Sequence, residues 1–217
     1  MKNKIDLIVF DLDGTLLESS NSIYKSVIST FEQLNQKVEI PKEEMDKRIG
    51  MHFKPIFEEL NIPVDDIEEF IEIYKKYYFE YISETMVYPA VTDTLETLKE
   101  NGFKLAVLTT KVQDQTEDII EHFKMNFYFD VLMGRRIGVE IKPSAEPLLL
   151  ICKELNISPV NTMIVGDSEL DIRCGKNAGA FTCGALYGHR EKEILENENP
   201  DCLINNFEEL KGIFNLD

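Results

Sequence analysis

The 217-residue chain contains no apolar run near the ~20 residues that a membrane-spanning helix needs. Its first apolar stretch, Ile5–Phe10, is too short for a secretion signal and is interrupted by Asp6. A cytoplasmic protein with no membrane partner is therefore expected. Cysteine is sparse: Cys152, Cys174, Cys183 and Cys202 form no C-x-x-C pair, and the three scattered histidines complete no zinc pattern. Reduced structural thiols are expected. Basic residues are outnumbered, 23 against 40 acidic, for a net charge of −17. Such a field repels nucleic acid and anionic membranes. It still admits a small anionic substrate where a metal ion and a few local cations reverse the sign. No internal repeat or low-complexity tract is present.

What the chain does contain is a run of short apolar segments separated by amphipathic ones. Ile5–Phe10, Lys104–Leu108, Phe129–Met133, Thr162–Val165, Ala180–Cys183 and Leu203–Ile204 read as strands. Helices are expected over 113–124, 144–155, 169–178 and 206–214. That alternation predicts an α/β fold with a parallel sheet and right-handed crossovers. Residues 16–86 break the pattern. They hold helical stretches at 19–34, 41–49, 53–60 and 64–82, with no convincing strand. The last stretch carries Phe70, Tyr74, Tyr77, Tyr78, Phe79 and Tyr81, which read as the packing face of a helical bundle. The expected division is a parallel-sheet core at 1–15 and 87–217 with an all-helical cap domain at 16–86.

Four spots fall at or beside the carboxyl ends of the expected strands, which in an open parallel sheet share one crevice. They are Asp11 and Asp13, Thr109-Thr110, Lys142-Pro143, and Gly166-Asp167-Ser168-Glu169-Leu170-Asp171. Singly they read as a turn, a strand end, a surface lysine and another turn. Together they suit phosphoryl transfer to a carboxylate, which needs an in-line nucleophile, neutralisation of phosphoryl charge and a proton donor. Asp11 is the candidate nucleophile and Asp13 the candidate acid and base. Thr109, with Thr110 beside it, and Lys142 would bind phosphate. Asp11, Asp167 and a main-chain carbonyl at Asp13 suit Mg²⁺, with Asp171 a ligand through water or an orienting group. Arg48, in the cap, is a candidate for holding a substrate anion.

The order DLDGT (11–15), Thr109, Lys142-Pro143 and GDSELD (166–171) resembles the haloacid dehalogenase superfamily of hydrolases across nearly the whole chain. The resemblance implies a Rossmann-like core and a helical cap of the C1 type. It also implies Asp11 as nucleophile, Asp13 as acid/base, Asp11 and Asp167 as Mg²⁺ ligands, and Thr109 and Lys142 as phosphate binders. The stretches YPAVTDTLETLKENG (88–102), LAVLTTK (105–111) and YGHREKEIL (187–195) resemble the phosphoglycolate phosphatase-like branch. Thr110 stands where many of that branch carry Asn, Glu18 replaces a common Asp, and 134–141 lacks an acidic pair often found there. The expected activity is Mg²⁺-dependent hydrolysis of a small phosphorylated metabolite through an aspartyl-phosphate, in a monomer or homodimer. A sugar phosphomutase and a pyrophosphatase are the alternatives. Retention of Asp13 argues against dehalogenation, and the intact acids argue against a non-enzymatic scaffold.

Overall fold

The structure is a computed structural model and describes residues 4–216; positions 1–3 and 217 of the expected core lie outside that range. Strand β1, Leu7–Phe10, is fully buried. Its LIVF sequence is apolar on both faces, as a central parallel strand requires. It pairs in parallel with β4, Lys104–Val112, on one side and β6, Thr162–Gly166, on the other. β5 (Val131–Arg135), β7 (Phe181–Ala185) and β8 (Cys202–Ile204) extend a six-stranded sheet of order β5-β4-β1-β6-β7-β8. Crossover helices cover both faces. α6 (Gln113–His122) packs on β4 and β5, and α8 (Glu169–Ala178) on β6 and β7. α7 (Glu146–Leu155) lies beside α8, and α5 (Val91–Glu100) meets α10 (Glu209–Phe214). α9, Lys192–Asn197, is a short surface helix beside α8. The four cysteines are free thiols, three of them buried. Among the described residues no helix is long and apolar enough to cross a membrane.

Two corrections concern small elements. A two-stranded antiparallel ribbon, β2 (Leu17–Glu18) with β3 (Met86–Val87), stands at the root of the helical insertion. Two residues are too few to show an alternating pattern, so the sequence reading gave no strand between 16 and 86. α5 was also unplaced. Its buried Val91, Thr94, Leu95 and Leu98 follow the helical period, but Thr92, Thr94 and Thr97 weaken the propensity signal.

Between the ribbon strands lie α1 (Ser20–Gln33), α2 (Lys42–Asp46), α3 (Phe53–Glu59) and α4 (Ile67–Glu80). α1 buries Ser22, Ile23, Ser26, Val27, Thr30 and Phe31, an i, i+3/i+4 stripe. α4 starts at Asp66, whose carboxylate accepts the Glu68 and Glu69 amides. Phe31, Phe53, Phe57, Phe70 and Tyr74 pack ring to ring at centroid distances of 4.7–5.6 Å. Of the aromatic residues expected to pack there, Phe70, Tyr74 and Tyr78 serve the interior of the insertion, whereas Tyr77, Phe79 and Tyr81 are partly exposed.

Candidate active site

Parallel pairing of β1 with β4 and β6 brings the ends of three strands side by side. Asp11 follows β1 and its amide continues the ladder to the Val165 carbonyl at 2.9 Å. Thr109 lies in β4, and Asp167 follows β6. A carboxylate oxygen from each of Asp11, Asp167 and Asp171 lies within 4.8 Å of the others, and all three residues are buried. Lys142 Nζ reaches between them, 2.6 Å from Asp11 Oδ1 and 2.6 Å from Asp171 Oδ1.

Every oxygen but one in this cluster is occupied. Asp171 Oδ2 accepts the Ser168 hydroxyl at 2.6 Å and the Ser168 amide at 3.1 Å, a capping box that starts α8. Asp167 Oδ2 accepts the His189 amide at 2.7 Å, and Oδ1 accepts the Thr15 hydroxyl at 3.3 Å. Asp11 Oδ2 is buried with no partner. Burial raises the Asp11 carboxyl well above its usual range; Lys142 pulls it down, and Asp171 and Asp167 push it up. Asp167 is pushed up to about 7, by burial first and Asp171 second. Burial acts to lower Lys142, but Asp11 and Asp171 outweigh it and hold it above its ordinary value.

With all three carboxyls ionised, the Lys142 ammonium would leave two negative charges of the cluster unmatched, which, after burial, is why Asp11 and Asp167 hold their protons more tightly than free acids. An oxygen-only donor set with a free, buried carboxylate oxygen fits a hard divalent cation. Only Asp11 Oδ2 is without a protein partner; Asp167 would join it at an ion by giving up the long 3.3 Å bond from the Thr15 hydroxyl, whereas both Asp171 oxygens are held at 2.6 Å.

Backbone crowding fixes the acids. A Cβ on Gly188 would sit 2.2 Å from Asp167 Cβ. One on Gly14, where φ is +88°, would sit 2.2 Å from Asp167 Oδ2. Only glycine fits at either position.

Residues 8–185 match the sequence profile of the haloacid dehalogenase-like hydrolases. The chain belongs to that family. This hydrolase is 35% identical to a phosphoglycolate phosphatase of Aquifex aeolicus over 90% of each chain. It is 30% identical to the pyrophosphatase PpaX of Halalkalibacterium halodurans over 97% of each. Its structure superposes on that of a predicted phosphatase from Clostridium acetobutylicum with a TM-score of 0.87, at 29% identity, covering 99% of this chain and 100% of the other.

The remaining candidates of the hydrolase separate into those that meet the acids and those that do not. The Asp13 carboxylate stands apart from the three-acid cluster. Its Oδ2 pairs with Lys111 Nζ at 2.9 Å, and its Oδ1 accepts the Ser19 hydroxyl at 2.5 Å. Lys111 in turn lies 4.6 Å above the Tyr78 ring. Thr109 is buried; its hydroxyl oxygen accepts the Lys111 amide at 3.3 Å, which leaves its O–H to give to an anion. Thr110, expected to share that role, instead donates to the Gly50 carbonyl of the insertion at 3.0 Å. Thr110 thus turns its hydroxyl to the insertion, and the β4 pairing is irregular between Leu108 and Val112. Arg48 lines the cavity beside Asp13, but Glu44 and Glu59 hold its guanidinium at 2.9 and 3.1 Å. Its charge is therefore already matched.

Lys111 and Ser19 are the site residues that motif reading missed. The signal for Lys111 is its spacing: two residues past Thr109 in an extended strand, it shares the Thr109 face. Ser19 carried none, because its role depends on the ribbon that turns the chain back over Asp13.

The insertion covers this edge of the sheet. Between the two lies a cavity of about 50 Å³ that reaches Asp13. Ile49, Met51, Phe53 and Tyr74 line its insertion side. Thr110–Gly50, Lys75–Asp114 at 2.5 Å and Arg135–Glu68 at 2.6 Å close the seam.

Proposed function

We propose that the chain is a phosphatase that hydrolyses a small phosphate monoester by way of an aspartyl-phosphate on Asp11. The observation that carries this reading is the buried Asp11 carboxylate with one oxygen on Lys142 and the other without a partner. Lys142 stabilises the ionised carboxylate that attack requires, and Asp171 holds Lys142 in place. A carboxylate oxygen of Asp11 bonds to phosphorus as the ester P–O bond breaks. Asp13, entering the step protonated and released from its pair with Lys111, gives that proton to the departing oxygen. In the second half, water attacks the same phosphorus, Asp13 takes the water's proton, and the P–O bond to Asp11 breaks to release phosphate. Thr109 gives its O–H to a phosphoryl oxygen. The residues that would hold Mg²⁺ are Asp11, Asp167 and the main-chain carbonyl of Asp13; bound there, the ion neutralises charge on the phosphoryl oxygens.

The helical insertion, 16–86, acts as a cap hinged near 16–19 and 84–89. Closed, it excludes water during transfer; open, it admits water and substrate. The cavity of about 50 Å³ that reaches Asp13 shares Met51, His52, Val112 and Arg135 with a larger open cleft beside Lys142 and Pro143.

Phosphate release from a panel of small esters, with and without Mg²⁺, tests the reading. Asp11→Asn should abolish turnover while circular dichroism and melting stay those of a folded protein. Turnover near the unsubstituted rate would overturn the nucleophile assignment.

A further inference from the structure

Three polar groups on the cavity wall have no use in the chemistry above. Gln115 Nε2, His52 Nε2 and Arg135 Nε are each buried without a partner, and all three residues line the cavity that reaches Asp13. Gln115 lies in the first turn of α6 and is 1% exposed; Arg135 ends β5; His52 precedes α3 in the insertion. Each is placed by contacts that leave the orphan group over. Arg135 spends Nη1 and Nη2 on Glu68, at 2.9 and 2.6 Å, and keeps Nε. His52 Nδ1 accepts the Lys54 amide at 3.3 Å, which assigns the ring proton of the neutral imidazole to Nε2. Burial, then the Arg135 charge, lower the His52 pKa, so the ring is neutral near pH 7. All three orphans are therefore donors.

A buried donor left unpaired is costly, and three around one cavity is an arrangement that a ligand completes. The ligand must supply acceptors only. A hydroxyl offers one oxygen; a carboxylate or phosphate offers two or three, with lone pairs enough for three donors. The apolar insertion side excludes water, which strengthens charge-assisted hydrogen bonds made there.

We infer that Gln115, Arg135 and His52 form a subsite for a second oxyanion, carboxylate or phosphate, carried on the substrate's leaving group a few atoms from the scissile phosphorus. The inference rests on the phosphatase reading and adds what that reading leaves open. Two of the donors belong to the core and one to the insertion, so closure assembles the subsite and couples recognition of the second anion to exclusion of water.

The test compares kcat/KM for 2-phosphoglycolate and pyrophosphate with that for ethyl phosphate, which has no second anion. Gln115→Glu puts a carboxylate where the amide donor was, and His52→Ser keeps an N-cap oxygen for α3 while removing Nε2. Each should lower the ratio of either substrate with a second anionic group to ethyl phosphate by roughly 10- to 100-fold. The larger drop identifies the oxyanion as carboxylate or phosphate. Equal losses on all three substrates, or an unchanged ratio, would overturn the subsite. Binding of 2-phosphoglycolate and ethyl phosphate to the Asp11→Asn protein, with and without Gln115→Glu, reads the subsite without turnover. No preference for 2-phosphoglycolate there overturns it as well. A preference that persists when the unsubstituted enzyme releases no phosphate would instead count against the phosphatase reading alone.

Discussion

At Lys142 one ammonium serves two buried carboxylates, and that arithmetic governs what its loss does. Lys142→Met leaves Asp11 and Asp171 facing each other without their shared cation. Breaking a buried pair from one side costs roughly 3–5 kcal/mol. The melting temperature in EDTA should fall accordingly, and Mg²⁺ should restore more stability to the variant than to the parent protein. Asp167 adds a pH dependence. Folded, it keeps its proton up to about 7, whereas an unfolded carboxyl releases it near ~3.9. In the ion-free protein the native state therefore binds more protons across that window, and stability falls as pH rises through it. Held by Asp167, Mg²⁺ would compete with that same proton. The Mg²⁺-induced rise in melting temperature should grow between about pH 5.5 and 8.5. A rise independent of pH would remove Asp167 from the ligand set. Asp11 and Asp167 were legible in the sequence because each directly follows a buried strand, and Asp171 because it lies in the first turn of the helix after β6; Lys142, in the turn between β5 and α7, was legible only through its place in the motif order. The pairing of Asp13 with Lys111 and Ser19 was not, because it depends on a turn that no short motif encodes.

Among elements, the turn after β7 matters as much as the strands. Gly188 presses its backbone on the Asp167 side chain, and His189 donates its amide to the same carboxylate. Gly188→Ala should displace Asp167 and raise the Mg²⁺ concentration needed for half-maximal activity by tenfold or more. An unchanged Mg²⁺ titration would show that the turn yields to the new methyl instead. The central strands β1 and β6 were readable from their apolar runs, because a strand buried on both faces has no polar alternation to confuse the reading, and the edge strands β5 and β8 from shorter runs. Strand ends shifted: β4 continues through Thr109 and Lys111 to Val112, past the apolar run KLAVL that marked it. Hydrogen bonding to β5 carries the strand on after hydrophobicity stops. Within the aromatic stretch, Phe70, Tyr74 and Tyr78 follow the helical period into the interior as read, while Tyr77, Phe79 and Tyr81 fall off that stripe and stay partly exposed.

For the whole molecule, a net charge of −17 opposes the approach of any anionic substrate. Added monovalent salt should screen that repulsion and raise kcat/KM for a dianionic substrate up to about 0.15 M, where the Debye length is ~8 Å. A steady fall would mean that Lys142 and Arg135 dominate the field at the mouth of the crevice. One feature of the architecture reaches beyond the enzyme itself. The insertion leaves and rejoins the core across a single ribbon, with Leu17 opposite Val87 and Glu18 opposite Met86. Its two roots are thus already in register, whatever the length of chain between them. Insertions and deletions within the span between those roots shift no residue of the six-stranded sheet, and doubling the length of a flexible segment there adds only about 0.6 kcal/mol of closure entropy. Mutation can therefore rebuild what the enzyme accepts while the residues that break the bond are inherited unaltered.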